Sequence, residues 1–443
     1  MIKIFNLLNA IILNGIFNVF TIELYLKNPL WIIVSIIFFI LLNINPCYFI
    51  RKTKSRSLNI CRSGYSLIII FLIFMLSTII IDMLCYTKGI MKSIEIKALI
   101  IHFIIFAVIE GILFWNGIIR IYISSVQLGL KWRVLGVVFG FVPIINSVIL
   151  LVMVNIVGKE IEFKKRKLLL NEKRKNKQIC KTRYPILLVH GVFFRDYKYY
   201  NYWGRIPQEL KNNGATIFYG KHQSAASVRN SANELKKRIE EIIEENNCEK
   251  VNIIAHSKGG LDSKYLASLP NANQYIASVT TINTPHYGCE FADYILSKIP
   301  EGLLNSIANK YNNILIKMGD KNPDFIEAVK DLTANACQKL NEECIAVPNI
   351  YCQSVGSKIN KRSKGKFPLN FTYKLVNLFD GANDGLVGEK SFWWGEKKIF
   401  ISGNNKNGIS HADVIDLTRK NLTDFDVMEF YVQLVYELKL KGL

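Results

Sequence analysis

A serine set between small residues is the strongest chemical signal in the chain. Residues 251–260 read VNIIAHSKGG, in which an apolar strand runs into Ala-x-Ser-x-Gly and then into a helical pattern. A sharp strand-to-helix turn of this kind lifts the serine hydroxyl above a sheet, at a helix N-terminus whose dipole favours developing negative charge. The turn requires small residues two before and two after the serine, as Ala255 and Gly259 are. The sequence therefore predicts that Ser257 is a nucleophile, with the neighbouring His256 structural.

Another apolar strand is predicted at the start of the same region and ends in His190-Gly191-Val192. A glycine at such a strand end lets the backbone approach a reacting carbonyl group closely. Val192 is predicted to offer one backbone N–H to the developing oxyanion, and the residue after the nucleophile, Lys258, is predicted to offer the second.

The general base can be found by elimination among the six histidines. The usual order in this kind of enzyme is serine, acid, histidine along the chain. His411 lies well downstream of Ser257, whereas His286 closely follows a predicted strand and is expected to be a structural loop residue. We therefore predict His411 as the base.

The acid is expected between Ser257 and His411, after a late strand. Residues 373–379 are predicted to form that strand, and they lead into two candidates, Asp380 and Asp384. Such a carboxylate would orient the imidazole and stabilise its charged form. From these residues alone, either aspartate could be the acid.

Short apolar runs alternate with helical patterns throughout the C-terminal part. One clear helical pattern covers residues 228–245. This alternation predicts a parallel sheet covered by helices. The predicted strands cover residues 185–190, 215–219, 251–255, 278–283 and 349–354.

The N-terminal part carries long apolar segments of the length that spans a bilayer, about 20 residues. Three are clear, and a fourth is interrupted by Pro143 and Asn146. An earlier stretch, residues 4–26, contains four asparagines and is predicted as a fifth span or an interfacial helix. We expect no cleaved signal peptide, because no small-residue cleavage site precedes a soluble domain. The four predicted spans cover residues 30–50, 65–86, 96–119 and 134–157.

The net charge of +21 is concentrated outside the globular part. Residues 1–157 hold 13 Lys/Arg and 4 Asp/Glu, residues 158–183 hold 11 and 3, and residues 184–443 hold 32 and 28. Basic residues beside apolar spans favour anionic lipid headgroups over nucleic acid as a partner. The composition predicts a multi-span membrane region (1–157), a basic linker helix (158–183) and a globular domain (184–443).

Two basic segments predict the membrane topology. The loop at 51–62 and the stretch at 164–175 are both rich in Lys and Arg, so both are predicted to be cytoplasmic. An even number of crossings must then separate them, which makes residues 134–157 a re-entrant hairpin. If that segment instead crosses the membrane, the globular domain faces outward. We favour the cytoplasmic side of the cell membrane.

A set of short motifs runs through the chain from residue 184 to its end. They are YPILLVHG from residue 184, YWG from 202, GAT from 214, AHSKGGLDSKY from 255, TPHYG from 284, EFA from 290, NDGLV from 383 and HAD from 411. Through these motifs the sequence resembles the bacterial triacylglycerol lipases. The resemblance implies an α/β-hydrolase with a mostly parallel sheet and a helical lid over residues 291–331, here preceded by an all-α transmembrane domain. It implies Asp384 as the acid and agrees with Val192 as an oxyanion donor.

The sequence departs from that family at three points. The family holds a structural calcium with an aspartate that corresponds to Asp413, but the second calcium aspartate falls in a lysine-rich stretch at 358–366 and has no match. The family is also secreted and lacks membrane spans. Finally, Lys258 is expected to place a cation beside the oxyanion position.

These observations predict a membrane-anchored carboxylic ester hydrolase, a lipase or esterase, that acts on lipids or other apolar esters through a Ser-His-Asp triad and an acyl-enzyme. No cofactor is required apart from a possible structural calcium, and no protein partner can be inferred. One alternative is an acyltransferase with the same nucleophile. Another is a membrane sensor or transporter with a regulatory hydrolase domain, which only Glu110, inside a predicted span, supports.

Overall fold

The chain divides into two compact units, Met1–Leu170 and Asn171–Leu443. The computed structural model describes residues 2–443 except 29, 49, 141, 194–200, 346–347, 361–368 and 402–407. Each unit has its own hydrophobic core.

The first unit is helical because its apolar runs contain few residues that break a helix. Its last helix continues past the boundary of the unit, through the basic segment that was predicted as a linker helix. The helices are α1 (Ile2–Phe17), α2 (Val19–Lys27), α3 (Leu30–Ile44), α4 (Arg56–Thr87), α5 (Ile96–Ser124), α6 (Gly129–Val138) and α7 (Pro143–Arg174).

Two of these helices, α4 and α5, are long and apolar enough to cross a membrane, and the bent pair α1 and α2 would make a third span. The bend of 50° falls at Asn18, whose side chain accepts a hydrogen bond from the Phe20 N–H and so starts a new helix. These counts refer to the described residues, and they support two to three spans.

The structure corrects one predicted span and shows the predicted interruption in another. Residues 30–50 were predicted as one span, but α3 has only 15 residues. It ends before Pro46, because proline disfavours helical backbone in the residue before it. Residues 134–157 were predicted as one interrupted segment, and they fall into α6 and α7. The break ends at Pro143, whose fixed φ suits the start of a helix.

The second unit contains a sheet and the helices that connect its strands. Its strands are β1 (Ile186–Val189), β2 (Ile217–Tyr219), β3 (Val251–His256), β4 (Ile276–Ile282), β5 (Tyr351–Ser357) and β6 (Lys397–Ile401). Its helices are α8 (Ile206–Asn212), α9 (Val228–Asn246), α10 (Lys258–Ser268), α11 (Glu290–Lys298), α12 (Glu301–Lys317), α13 (Phe325–Lys330), α14 (Ala334–Glu343), α15 (Leu369–Phe379) and α16 (Val427–Leu440).

Among the described residues, six strands lie in the order β2-β1-β3-β4-β5-β6, and every neighbouring pair is parallel. The central strands β1, β3 and β4 are buried along their whole length. Helix α9 covers them with a stripe of apolar side chains, Leu235, Ile239 and Ile242, spaced at helical intervals. This is the predicted α/β-hydrolase arrangement, and five of the six strands were predicted with bounds close to those observed.

Residues 373–379 were predicted as a strand, and this was wrong, because they belong to helix α15. Its buried residues Leu369 and Val376 are seven apart, which is two turns of a helix. The predicted strand began at residue 373 and so left out Leu369, without which this helical period cannot be seen. The last strand, β6, was not predicted. It lies at the edge of the sheet and begins with two lysines, so it lacks a continuous apolar run.

Candidate active site

Ser257 lies between β3 and α10 in a strained backbone conformation, with φ 56° and ψ −132°. Such a conformation is costly for a residue with a side chain and is found where surrounding structure enforces it, often at active sites. Here the enforcing contacts are backbone hydrogen bonds, from Ser257 N to Ile282 O and from Gly260 N to Ser257 O, both 2.9 Å. The structure therefore contains the sharp strand-to-helix turn expected at this serine.

The loop after β1 lies against Ser257 at the carboxyl edge of the sheet. A Cβ atom on Gly191 would lie 2.9 Å from Ser257 Cβ and 2.7 Å from the Tyr202 hydroxyl, so only glycine fits there. The backbone N–H groups of Val192 and Lys258 donate to no acceptor among the described residues. Two backbone donors are thus left available near the serine.

His411 and Asp384 form a buried pair. His411 Nδ1 lies 2.6 Å from Asp384 Oδ2, and the His411 backbone N–H donates to Asp384 O at 2.9 Å. Asp384 is fully buried. Since only a protonated Nδ1 can donate to this carboxylate, the contact assigns the tautomer in which Nε2 carries the free lone pair. His411 is thereby prepared to accept a proton at Nε2.

Three further donors hold the Asp384 carboxylate in place. Its Oδ1 accepts from the backbone N–H groups of Leu386 and Val387, at 2.9 and 2.8 Å. Its Oδ2 also accepts from Asn283 Nδ2 at 2.6 Å. The sequence reading missed Asn283, although it follows β4 directly, and the carboxyl ends of parallel strands meet at one edge of a sheet.

Asp380, the other candidate acid, lies elsewhere. It stands at the end of α15, and its Oδ1 accepts from the backbone N–H of Glu290 at 3.3 Å, at the start of α11. Burial raises the pKa of this carboxyl group. Of the two aspartates, the structure brings only Asp384 to His411.

His256 directly precedes the serine in the chain, and its ring neighbours that of the base. Its ring centroid is 4.4 Å from that of His411, and its Nδ1 lies 2.6 Å from the Tyr202 hydroxyl. Burial, and then the neighbouring His411, lower the pKa of His256 well below its usual value. Among the described contacts no hydrogen bond joins Ser257 Oγ to His411. Catalytic hydrogen bonds are often long in unliganded enzymes and tighten when substrate binds.

The Lys258 side chain does not place its cation where the sequence suggested. The ammonium is buried and lies 2.7 Å from Asp262 Oδ1, one turn further along α10, with Ser231 Oγ at 3.3 Å. Burial raises the pKa of Asp262 to about 7, and Lys258 opposes that shift. Only the backbone of Lys258 therefore remains a candidate for binding an oxyanion.

This buried pair makes a prediction about stability. Lys258→Met leaves the Asp262 carboxyl group buried without its cation, so we expect the free energy of unfolding to fall by about 3–5 kcal/mol. Lys258→Met combined with Asp262→Leu removes both charges and should recover most of that loss. Urea unfolding of the detergent-solubilised chain measures both. A single variant as stable as the wild type would show that the pair contributes nothing.

The helical segment predicted as a lid packs on the loop after β1. Val192 and Phe193 pack against a cluster formed by Ala225, Leu315 of α12 and Ala328 of α13. The Phe193 ring stacks on Phe325 with 4.9 Å between centroids. Ser257 is only 8% exposed. Ser257 is thus largely covered, and the helical segment packs on the neighbouring loop.

Asp413, the candidate calcium ligand, is engaged within its own turn. Its Oδ2 accepts from Ser410 Oγ at 2.7 Å. No cluster of three or more His, Cys, Asp or Glu suited to a metal occurs among the described residues. No step of the proposed chemistry is routed through a calcium ion. Calcium binding stays a prediction.

Comparison with known proteins finds relatives of similar sequence. The chain is 34% identical over 165 residues to a triacylglycerol lipase of Pseudarthrobacter phenanthrenivorans, covering 34% of this chain and 51% of that one. It is 29% identical over 286 residues to a triacylglycerol lipase of Vibrio cholerae, covering 59% and 89%. The chain is thus similar in sequence to proteins named triacylglycerol lipases. It spans about half the length of the first two relatives, since it covers 45% of the lipase of Burkholderia plantarii. No family model matches the chain.

Solved lipase structures also resemble the chain. The mature Bacillus licheniformis lipase BlEst2 shares 24% identity with a TM-score of 0.41, covering 58% of this chain and 92% of that one. The Staphylococcus hyicus lipase shares 18% identity with a TM-score of 0.45, covering 59% and 97%.

Proposed function

We propose that the chain is a membrane-anchored serine hydrolase that cleaves carboxylic esters of lipids. The observation that carries the proposal is the 2.6 Å contact between His411 Nδ1 and Asp384 Oδ2, at the sheet edge where Ser257 occupies its strained turn. A nucleophile, a base and an acid in this chain order are the groups needed for acyl transfer through a covalent intermediate.

The proposed reaction has two halves. His411 Nε2 takes the proton of the Ser257 hydroxyl as Oγ attacks the ester carbonyl carbon, which gives a tetrahedral intermediate. The imidazolium then returns the proton to the leaving alkoxide, the C–O bond breaks, and the alcohol departs from the acyl-enzyme. Water repeats the sequence and releases the carboxylic acid. Asp384 keeps the imidazole oriented and stabilises its charged form throughout.

The oxyanion of each tetrahedral intermediate would accept hydrogen bonds from the Val192 and Lys258 N–H groups. Both groups lack other acceptors among the described residues, and the Gly191 loop is in contact with Ser257. A donor of this kind typically stabilises the transition state by roughly 3–4 kcal/mol. The N-terminus of α10 adds a favourable dipole at the same point.

An apolar acyl ester is the substrate class that the surroundings favour. Helix α12 exposes large apolar side chains, Leu303, Ile314 and Ile316 among them. The relatives are named triacylglycerol lipases. The test is hydrolysis by the purified chain of an ester panel of graded acyl length. We expect activity that rises with acyl length beyond that of acetate esters. A chain that cleaves no ester of the panel would contradict the proposal.

Membrane attachment through the first unit would supply the enzyme to lipid substrates already in the bilayer. Helices α4 and α5 have the length and apolarity of spans. The basic residues of α7, Lys164, Lys165 and Arg166 among them, would favour an anionic surface. Tethering replaces repeated recruitment by a high effective concentration of enzyme at its substrate.

This proposal predicts a difference between two substrates. We compare the full chain in liposomes with a fragment of residues 171–443, on a bilayer-resident ester and on a short water-soluble ester. We expect the tether to raise the rate on the bilayer ester by about 10²-fold and to leave the soluble ester nearly unchanged. The soluble ester controls for folding of the fragment. Equal rates on the bilayer ester would show that the anchor does not deliver enzyme to lipid.

The second unit is proposed to face the cytoplasm. The loop before α4 carries Arg51, Lys52 and Lys54 and is therefore predicted to be cytoplasmic, and α4 and α5 would cross the membrane out and back. The test uses single cysteines in a cysteine-free chain, placed at the exposed positions Lys54, Lys88 and Lys237. In intact cells a membrane-impermeant maleimide should label only Lys88→Cys, which lies beyond the far end of α4. Labelling of Lys237→Cys would place the second unit outside.

A further inference from the structure

We propose that residues 202–205, here called the clamp, hold the nucleophile turn and the base-bearing loop at a fixed separation, with Arg205 and Asp416 as positioning residues. The inference rests on the proposed function, since it concerns how Ser257 and His411 meet. Those two residues lie on separate segments, one after β3 and one after β6. Among the described contacts no hydrogen bond joins them, so something else must set their spacing.

One end of the clamp contacts the nucleophile side. The Tyr202 hydroxyl lies 2.6 Å from His256 Nδ1, in the residue just before Ser257. Trp203 is completely buried and meets the same ring edge-on, with 6.4 Å between centroids. The Tyr202 hydroxyl also lies over Gly191, where it leaves no room for a Cβ atom. This end of the clamp therefore fixes the turn and the Gly191 loop together.

The other end of the clamp holds Asp416, five residues after the base. Asp416 Oδ2 accepts from Arg205 N and Nε, both at 2.8 Å, and Oδ1 accepts from Arg205 Nη2 at 2.7 Å. Asp416 is only 2% exposed. Gly204 has φ 53°, and a side chain there would collide with the Asp416 carbonyl oxygen. The result is a two-pronged ion pair between the half-buried Arg205 and the buried Asp416, of the kind that gives strong geometric control.

Asp416 is rigidly joined to His411 through the turn that contains both. Backbone hydrogen bonds run from Val414 N to Ser410 O, from Asp416 N to Asp413 O and from Leu417 N to Ala412 O, each at 3.1 Å. Holding Asp416 therefore holds His411. The His411 ring then lies 4.4 Å from the His256 ring, which the clamp holds from its other end.

Two substitutions test this role. Arg205→Met removes the fork but keeps much of the buried volume. Misplacing a catalytic group by about 1 Å can cost on the order of 10²-fold. We therefore expect kcat for a soluble ester to fall by about 10²-fold per active site, with KM changed less than about twofold. Arg205→Lys keeps the charge without the fork and should lie between Arg205→Met and wild type. Arg229→Met, which breaks the exposed pair with Glu343, is the matched control and should leave kcat unchanged.

Chemical rescue is a measurement that should not respond if Arg205 has a purely structural role. Guanidinium ion at a few tens of millimolar should restore part of the kcat of Arg205→Met and should not raise that of Arg229→Met. Rates are normalised by titration with a fluorophosphonate, so that misfolded protein does not count. If Arg205→Met does not fold, Asp416→Asn, which keeps the shape of the site, takes its place and should lower kcat with KM held.

The outcomes separate the two proposals. If Arg205→Met, or Asp416→Asn used in its place, keeps the wild-type kcat per titrated site, the clamp proposal is wrong. The proposed hydrolase function would still stand. A kcat for Arg205→Met no lower than that of Arg229→Met would have the same meaning. A wild-type chain that neither hydrolyses esters nor reacts with the fluorophosphonate would overturn the proposed function instead.

Discussion

Replacing Ser257 by alanine is expected to lower kcat for ester hydrolysis by about 10⁶-fold, the loss typical of removing a triad nucleophile. Without Oγ no acyl-enzyme can form, and only the oxyanion donors and substrate binding remain. The fold should survive, because the strained turn is held by backbone hydrogen bonds of Ser257, which alanine keeps. Steady-state hydrolysis of a soluble ester measures the effect.

A matched control is available on the same helix. Ser263 is also buried and bonds only to the Gly259 carbonyl oxygen of its own helix, at 2.7 Å, among the described contacts. Ser263→Ala should retain activity within a few-fold of wild type. If Ser257→Ala hydrolysed the ester as fast as Ser263→Ala, Ser257 would not be the nucleophile.

Asp384→Asn is expected to lower kcat by about 10⁴-fold while leaving the fold intact. The amide keeps the shape of the carboxylate but turns an NH₂ group toward His411 or offers a weaker acceptor, so the imidazole loses the tautomer that exposes a basic Nε2. The His411 imidazolium that forms during the reaction also loses the negative charge of the carboxylate that stabilises it. The measurement is again hydrolysis of a soluble ester.

Asp380→Asn is the matched control for that substitution. Asp380 accepts from the Glu290 backbone N–H, and an asparagine oxygen can still accept that bond. We expect its kcat to stay within a few-fold of wild type. The reverse ranking of the two variants would make Asp380 the acid and contradict the geometry around His411.

The nucleophile turn and the central strands could be predicted because their signals are local. Apolar residues make up most of β1, β3 and β4, and the small residues around Ser257 follow from the sterics of one turn. Helix α15 and strand β6 were misread or missed for the opposite reason. Helix α15 shows its period only over its full length, and β6 is an edge strand whose lysines hide its apolar residues.

The elements of the site that sequence reasoning missed depend on tertiary contacts. Arg205 and Asp416 are 211 residues apart in the chain, and nothing in either local sequence marks the pair. The direction of the Lys258 side chain is a similar case, since Asp262 is a helical neighbour whose burial only the packed structure reveals. The choice between Asp380 and Asp384 likewise came from a resemblance, and their separate locations appear only in the fold.

Fluorophosphonate labelling of the purified full-length chain, followed by mass spectrometry of the labelled peptide, tests the central claim most directly. A fluorophosphonate reacts with a serine hydroxyl only where a base and an oxyanion site activate it. We predict one stoichiometric adduct, on Ser257, which disappears in Ser257→Ala and forms far more slowly in Asp384→Asn. An adduct on another residue, or a wild-type chain that remains unlabelled while fully folded, would contradict the account.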